Sequence, residues 1–233
     1  MNDIIIKTPL EYNDRLSSKY NCNVYLKRED LQKVRSFKIR GAYNKIMKSN
    51  KDKGFVTASA GNHAQGVAYV CNKLDLESNI FIPENTPLQK ISRIQYFGNN
   101  KCIINKIGNT FDACLKEALQ FCKENNKIFI HPFDDLDVIA GQGNIALEVL
   151  ENMNPDIMIC CVGGGGLISG TINALKEIKC DIYGAEPFGA ASMYESLNKN
   201  KLITLDNIDT FVDGASVKTP GKLTYDICKN NVK

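Results

Sequence analysis

The chain has 233 residues, 43% of them hydrophobic and 24% charged, so it can bury a sizeable core and does not have the composition of a disordered protein. Its 29 basic residues nearly balance its 26 acidic ones, and a net charge of +3 gives no reason to expect a nucleic-acid partner. No apolar stretch reaches the length of a membrane span, and the N-terminal residues lack the apolar core of a signal peptide. We therefore expect a cytoplasmic protein with no membrane partner.

Short apolar segments alternate with amphipathic ones, a pattern that predicts strands alternating with helices. Strands are predicted at residues 24–27, 55–59, 80–83, 102–106, 127–133, 156–162 and 181–185. Helices are predicted at residues 36–49, 62–74, 87–98, 111–124, 136–151 and 167–178. Ser36 is the expected cap of the first helix, Pro87 the expected first residue of the third, and the pattern weakens after about residue 200. Helical crossovers imply parallel sheets with helices on both faces, which bind ligands at the carboxyl ends of their strands.

The nine cysteines do not form a metal-binding pattern. No Cys-x-x-Cys pair occurs, and the only two histidines, His63 and His131, are far apart in the sequence. Several cysteines lie inside apolar runs, where a thiol behaves as a small hydrophobic group. We expect reduced, buried thiols and no metal site.

Four consecutive glycines separate a predicted strand from a predicted helix. In Gly163-Gly164-Gly165-Gly166-Leu167, backbone N–H groups and the helix N-terminus can converge on an anion, which predicts a phosphate cradle. A tight turn is the alternative, although a turn rarely needs four glycines. No Lys-Ser/Thr pair follows, which excludes a nucleotide P-loop, and Gly141-Gln142-Gly143 lies inside a predicted helix rather than after a strand.

Two further segments carry candidate chemistry. Ser59-Ala60-Gly61-Asn62-His63 lies at another strand-to-helix junction and suits a carboxylate or a phenolic oxygen, although His63 alone is equally typical of a helix surface or a core. Ser36-Phe37-Lys38 places a lysine beside an aromatic residue in a first helical turn. Lys38 alone is read more simply as a solvated charge, but a desolvated lysine becomes a Schiff-base nucleophile. A phosphate cradle, an oxygen-binding loop and an amine together suit a phosphorylated aldehyde cofactor.

These segments, in this order, resemble the threonine and serine dehydratases, which are pyridoxal-phosphate enzymes of fold type II. The resemblance extends from Thr8 to about Cys228. It rests on residues 27–30 (KRED), 36–43 (SFKIRGAY), 58–66 (ASAGNHAQG), 139–143 (IAGQG), 163–167 (GGGGL) and 184–187 (GAEP).

The resemblance implies a role for each site residue. Lys38 would hold pyridoxal 5′-phosphate as a Schiff base and take the α-proton of the substrate, and Phe37 would pack near the pyridine ring. Asn62 would hydrogen-bond the phenolic oxygen of the cofactor, and the backbone at Gly214 would touch its edge. The phosphate would bind Gly163, Gly164, Gly165, Gly166 and Leu167. The substrate carboxylate would bind Ser59, Ala60, Gly61, Asn62 and His63.

The resemblance also implies an architecture and a reaction. Two α/β domains with parallel sheets would enclose the cofactor, a small one at residues 51–133 and a large one at 1–50 and 134–233. The family's catalytic domain continues beyond the position of Lys233 and supplies a Ser or Thr to the pyridine nitrogen, so we expect a C-terminally truncated large domain. The reaction would be deamination of L-threonine to 2-oxobutanoate, or of L-serine to pyruvate, as in the first step of isoleucine biosynthesis, in a homo-oligomer.

Two alternatives to an active dehydratase remain. A serine racemase on the same fold is the first, although such racemases have a serine where this chain has Ala60, and Ala60 has no proton to exchange. Racemases also bind a divalent metal near the position of Glu186 through an aspartate where this chain has Ser192, so Glu186 is expected to be structural. The second alternative is an inactive remnant that still binds the cofactor.

Overall fold

The computed structural model describes residues 4–233, which form eight strands and nine helices. The strands are β1 (Leu10–Tyr12), β2 (Tyr25–Lys27), β3 (Phe55–Ala58), β4 (Ser78–Ile82), β5 (Cys102–Lys106), β6 (Ile128–Phe129), β7 (Ile157–Cys161) and β8 (Asp181–Ala185). The helices are α1 (Asp14–Tyr20), α2 (Lys38–Lys48), α3 (Asn62–Lys73), α4 (Leu88–Gly98), α5 (Phe111–Glu124), α6 (Leu136–Leu150), α7 (Gly166–Leu175), α8 (Ser192–Asn198) and α9 (Lys222–Cys228). None of the helices within residues 4–233 is long and apolar enough to cross a bilayer.

The strands form three sheets. Strands β3 to β6 make a four-stranded parallel sheet in the order β5-β4-β3-β6, and β7 pairs in parallel with β8. Strands β1 and β2 form an antiparallel pair that the sequence pattern did not predict. The predicted α/β class with parallel sheets is confirmed.

Helices cover both faces of the four-stranded sheet. Side chains alternate along each strand, so Ile80 and Ile82 of β4 pack into the cluster formed with α3 and α4. Phe81 points to the other face, where it joins Cys114 and Ala118 of α5. The β7–β8 pair differs. Within residues 4–233 one face packs against α7, while Ile157 and Ile159 on the other face are 56% and 71% exposed.

Glycines allow helices α2, α6 and α7 to pack closely. A Cβ on Gly141 would lie 2.6 Å from the carbonyl oxygen of Arg40 in α2, and a Cβ on Gly143 would lie 2.8 Å from that of Gly170 in α7. Neither glycine has room for a side chain. These two glycines lie within α6, so they serve helix packing and not dinucleotide binding.

Two predicted helix starts need correction. Helix α2 begins at Lys38, and Ser36 lies outside it, although its Oγ accepts the N–H of Lys38 at 3.3 Å. Helix α4 begins at Leu88, and Pro87 precedes it with ψ of 141°, because the extended backbone there is incompatible with a first helical turn. Strand β6 is also much shorter than predicted, covering only two residues.

A buried network of charges joins the N-terminal segment to α2 and α6. Arg40, with 3% of its side chain exposed, contacts Glu29 and Glu148 at 2.7 Å each. Lys27 contacts Glu148 at 2.6 Å and also donates to Thr8 Oγ1 at 2.7 Å. Each carboxylate therefore faces positive charge. Burial alone would raise the pKa of Glu148, but the hydrogen bonds from Arg40 and Lys27 lower it overall.

The substitution Glu148→Gln is expected to destabilise the fold by about 3–5 kcal/mol, because it leaves two buried cations facing the single carboxylate of Glu29. The midpoint of denaturant unfolding measures this loss. Glu151→Gln is the matched control. Glu151 directly follows α6, about one turn beyond Glu148, and forms an exposed ion pair with Lys7. Its midpoint should remain close to that of the unchanged chain. Equal shifts for both variants would contradict a structural role for the network.

Candidate active site

One pocket gathers two of the three segments that the sequence singled out, together with Gly214, while residues 59–63 are not part of its lining. It lies at the carboxyl end of β7, beside the start of α2. Its lining consists of Phe37, Lys38, Phe133, Cys161, Gly163, Gly164, Gly165, Gly166, Leu167, Gly214 and Val217. The sequence singled out all of these except Phe133, Cys161 and Val217. Cys161 ends β7 and Phe133 follows β6 in the sequence. The rule that ligands bind at the carboxyl ends of parallel strands could therefore have indicated both residues.

Lys38 lies in a weakly polar part of the pocket. Its Nζ donates to the carbonyl oxygen of Pro132 at 2.8 Å and lies 5.6 Å from the centre of the Phe37 ring. Among residues 4–233 no carboxylate forms an ion pair with it. The residue keeps partial contact with solvent, but protein surrounds the ammonium group, and this burial lowers the pKa of Lys38 from 10.5 to about 8. The nearby Cys161 thiol opposes the shift. The simpler interpretation of a fully solvated charge is wrong.

This low pKa predicts selective reactivity. Only the neutral amine attacks an aldehyde, so reductive labelling of the cofactor-free chain by a small aldehyde should increase with pH at Lys38, with a midpoint near 8. At pH 7 the neutral fraction would be roughly 300-fold larger than for a lysine with ordinary pKa. Lys45 in the same helix is the control. Burial alone would lower its pKa, but hydrogen bonds with Asp135 and Asp137 raise it. Peptide mapping that finds Lys45 labelled as fast as Lys38 at pH 7 would contradict the prediction.

Each glycine in the loop at residues 163–166 has a steric reason to lack a side chain. A Cβ on Gly164 would lie 2.2 Å from the Phe133 ring, and one on Gly163 would lie 3.2 Å from the backbone of Ala215. Gly165 has φ of +92°, a backbone conformation that residues with side chains rarely adopt, and a Cβ there would meet Met193 and Thr224. The loop is thus tightly packed against Phe133, Ala215 and the residues Met193 and Thr224.

The backbone of this loop offers free hydrogen-bond donors to the pocket. The N–H groups of residues 163–167, which line the pocket, donate to no acceptor within residues 4–233, and neither does that of Ile168. The first N–H of α7 with an acceptor is that of Ser169, which bonds to the carbonyl of Gly165 at 3.0 Å. Five successive unpaired donors at the N-terminus of α7 form an anion site, because buried N–H groups are almost always satisfied. A phosphate would satisfy them.

The segment at residues 59–63 lies at the N-terminus of α3, near the loop that carries Gly214. The Nδ2 atom of Asn62 would lie 3.8 Å from a Cβ on Gly214, so the Asn62 amide lies next to a residue that lines the pocket. Helix α3 has no side-chain cap, and the N–H groups of Asn62 and His63 find no acceptor among the described residues. The Oγ of Ser59 accepts the N–H of Gly61 at 3.2 Å, and Ala60 packs against the core.

The ring of His63 points away from the pocket. It is 2% exposed, and its Nε2 lies 3.1 Å from the carbonyl oxygen of Ile130. Burial, with a smaller effect of Lys38, lowers the pKa of His63 to about 3, so the ring is neutral. The other ring nitrogen, Nδ1, is buried and has no hydrogen-bond partner within residues 4–233. Thr57 Oγ1 donates to the same carbonyl at 2.9 Å, so both side chains hold the segment that leads to Pro132.

Glu186, considered above as part of a metal site, caps a helix. Its carboxylate accepts the N–H groups of Met193 at 2.9 Å and Tyr194 at 2.7 Å, at the start of α8. Burial raises the pKa of Glu186, and these hydrogen bonds oppose the shift. The geometry gives this residue a structural role.

Comparison with known proteins gives this pocket a family. The family model described as pyridoxal-phosphate dependent enzyme matches residues 1–233. The chain belongs to this family. Pyridoxal-phosphate dependent enzymes use a cofactor with a phosphate and an aldehyde, and the pocket fits both groups, because five free N–H donors and the desolvated amine of Lys38 line it. The cofactor predicted from the resemblance is confirmed.

Individual members of the family are closely similar. The chain is 51% identical over 243 aligned residues to the biosynthetic L-threonine dehydratase of Staphylococcus aureus, which confirms the resemblance inferred from the motifs. It aligns with threonine deaminase isoform 2 of Solanum lycopersicum at a TM-score of 0.93 and 40% identity, covering 99% of this chain and 64% of that one. Serine racemase of Dictyostelium discoideum gives a TM-score of 0.89 and 36% identity, with 98% and 74% covered. The chain spans 58% of the length of the staphylococcal enzyme.

Proposed function

We propose that the protein deaminates L-threonine to 2-oxobutanoate and ammonia with pyridoxal phosphate, and accepts L-serine to give pyruvate. The observation that supports this most strongly is that a desolvated lysine and five unpaired N–H donors line the same pocket. The similarity to biosynthetic threonine dehydratase extends the proposal to the first step of isoleucine biosynthesis and to a cytoplasmic location.

Pyridoxal phosphate, when bound, supplies an electron sink that acidifies the α-hydrogen of an amino acid. In the proposal, the N–H groups of residues 163–167 bind its phosphate and fix its position. Lys38 Nζ would hold the cofactor through its aldehyde and would act as the base for the α-proton of the substrate. Its lowered pKa makes this possible near neutral pH, because an appreciable fraction of the amine is already unprotonated. Phe37 would pack near the pyridine ring, and with Phe133 it flanks the amine and limits access of water.

The N-terminus of α3 suits the two remaining oxygen groups. The free N–H groups there, with Ser59, Ala60 and Gly61 leading into the helix, would hold the substrate carboxylate. The Asn62 amide would donate to the phenolic oxygen of the cofactor, and Gly214 would leave room for the cofactor edge. Deamination of threonine requires no oxidant, because the water that is lost in the elimination is returned in the hydrolysis that releases ammonia.

We also propose that residues 51–133 form a small domain, that residues 1–50 and 134–233 belong to a large one, and that the protein forms a homo-oligomer. The separate four-stranded sheet within the first range supports the domain division.

Incubating the cofactor-saturated chain with L-threonine tests the function. We expect 2-oxobutanoate and ammonia in equal amounts, with no D-amino acid accumulating, because Ala60 has no hydroxyl to deliver a proton. Accumulation of D-serine from L-serine would instead support racemisation, the activity in the name of the Dictyostelium relative. Cofactor binding without either product would support a protein that has kept only the cofactor site.

A further inference from the structure

A buried hydroxyl lies directly behind the glycine loop. Thr224 in α9 is fully buried, and its Oγ1 lies 2.6 Å from the carbonyl oxygen of Gly164 and 3.1 Å from that of Gly221. A hydroxyl has one proton to donate, and the shorter contact is with Gly164. The backbone N–H of Gly221 also reaches the Gly164 carbonyl, at 3.3 Å. This carbonyl is therefore held on the side of the loop away from the pocket.

We propose that Thr224 is a positioning residue for the phosphate cradle, an inference that rests on the proposed cofactor-dependent function. The carbonyl of Gly164 and the N–H of Gly165 belong to one planar trans peptide, so they point in opposite directions. A hydrogen bond that holds the carbonyl toward α9 directs the N–H of Gly165 toward the pocket. The same bond polarises the peptide and makes that N–H a stronger donor to an anion.

The position of Thr224 is fixed by a second set of contacts. The Asp134 carboxylate accepts the backbone N–H groups of Lys222 at 3.1 Å and Thr224 at 3.2 Å, which caps the start of α9. Asp134 directly follows Phe133, whose ring packs on Gly164. The helix that carries the hydroxyl and the pocket wall are thus tied together, so the hydroxyl is in place before any anion binds.

Thr224 also fills space, and the test must separate this from its hydrogen bond. Its Cβ would lie 2.7 Å from a Cβ on Gly165, so the side chain packs directly under the loop. Thr224→Val keeps the shape and removes the hydroxyl, whereas Thr224→Ser keeps the hydroxyl and removes a methyl group. A packing role predicts a larger effect for serine, and a positioning role predicts a larger effect for valine.

The experiment compares the dissociation constants of two aldehydes, pyridoxal phosphate and pyridoxal, which lacks the phosphate. We expect Thr224→Val to weaken binding of pyridoxal phosphate about tenfold, the effect of one hydrogen bond, and to leave pyridoxal binding unchanged. Thr224→Ser should bind both aldehydes like the unchanged chain. If the valine variant does not fold, as judged by its unfolding midpoint, Thr224→Ala compared with Thr224→Ser makes the same distinction.

Two results would overturn the inference. One is equal weakening of both aldehydes, which would indicate a general packing role. The other is undiminished binding of pyridoxal phosphate by the valine or alanine variant. In either case the proposed function stands if the unchanged chain binds pyridoxal phosphate more tightly than pyridoxal. If the unchanged chain binds neither aldehyde, the proposed function itself fails, and the inference fails with it.

Discussion

Replacing Lys38 with alanine is expected to lower ketoacid release from L-threonine by about 10³-fold, within the range that a positioned general base contributes. The variant should also lose the visible absorbance that the chain acquires on mixing with pyridoxal phosphate, because no other lysine among residues 4–233 lines the pocket. The structural basis is the burial that lowers the pKa of Lys38 to about 8 and makes its amine reactive.

Lys48→Ala is the matched control for this prediction. Lys48 lies in the same helix, and its exposed side chain contacts Asp137 at 3.1 Å, away from the pocket. Turnover and absorbance should remain close to those of the unchanged chain. Addition of a small primary amine should partly restore turnover in Lys38→Ala if the missing group is a base. A Lys38→Ala chain with more than a tenth of the original turnover would show that another residue takes the proton.

Gly165→Ala is expected to weaken binding of pyridoxal phosphate by about 100-fold. The backbone of Gly165 has φ of +92°, which an alanine adopts only at an energetic cost, and the added Cβ would lie 2.7 Å from Met193 and Thr224. The loop would have to move, and its N–H groups would no longer converge on the phosphate. A titration followed by cofactor absorbance measures the change.

Gly54→Ala separates backbone strain from the loss of the anion site. Gly54 also has a positive φ, of +68°, but the nearest atom to its added Cβ is the flexible end of Lys127, at 3.1 Å. It lies in the turn before β3, away from the glycine loop. This variant should be less stable than the unchanged chain and bind pyridoxal phosphate equally well. Equal losses of affinity in both variants would mean that the glycine loop has no special role in binding.

The hydrophobic pattern predicts the bounds of three elements well, and these are not the most buried ones, since most residues of β5 and β8 are exposed or half-exposed. The bounds of β5, α5 and β8 agree with the sequence prediction, because hydrophobic periodicity and turn residues mark both ends of each element. Short elements escaped prediction. Helices α8 and α9 have seven residues each, too few to show a clear period, and β1 has three residues with partly exposed side chains. Their structure depends on tertiary contacts, such as the Asp134 cap on α9.

The candidate site was predictable to the extent that it lies at strand-to-helix junctions. Gly163 to Leu167 and Asn62 follow strands directly, and their residue types alone indicate an anion and an oxygen ligand. Thr224 gave no such signal, because its contact with Gly164 spans 60 residues of sequence. The burial of the His63 ring against Ile130 was equally invisible, since only the fold determines which way that ring points.

Borohydride trapping tests the central claim most directly. The chain is mixed with pyridoxal phosphate, reduced and digested, and the peptides are mapped by mass spectrometry. We predict one modified site, Lys38, and protection of that site when inorganic phosphate competes for the glycine loop. Modification of another lysine with Lys38 left intact, or labelling spread evenly over the surface lysines, would contradict the assignment of this pocket as the cofactor site.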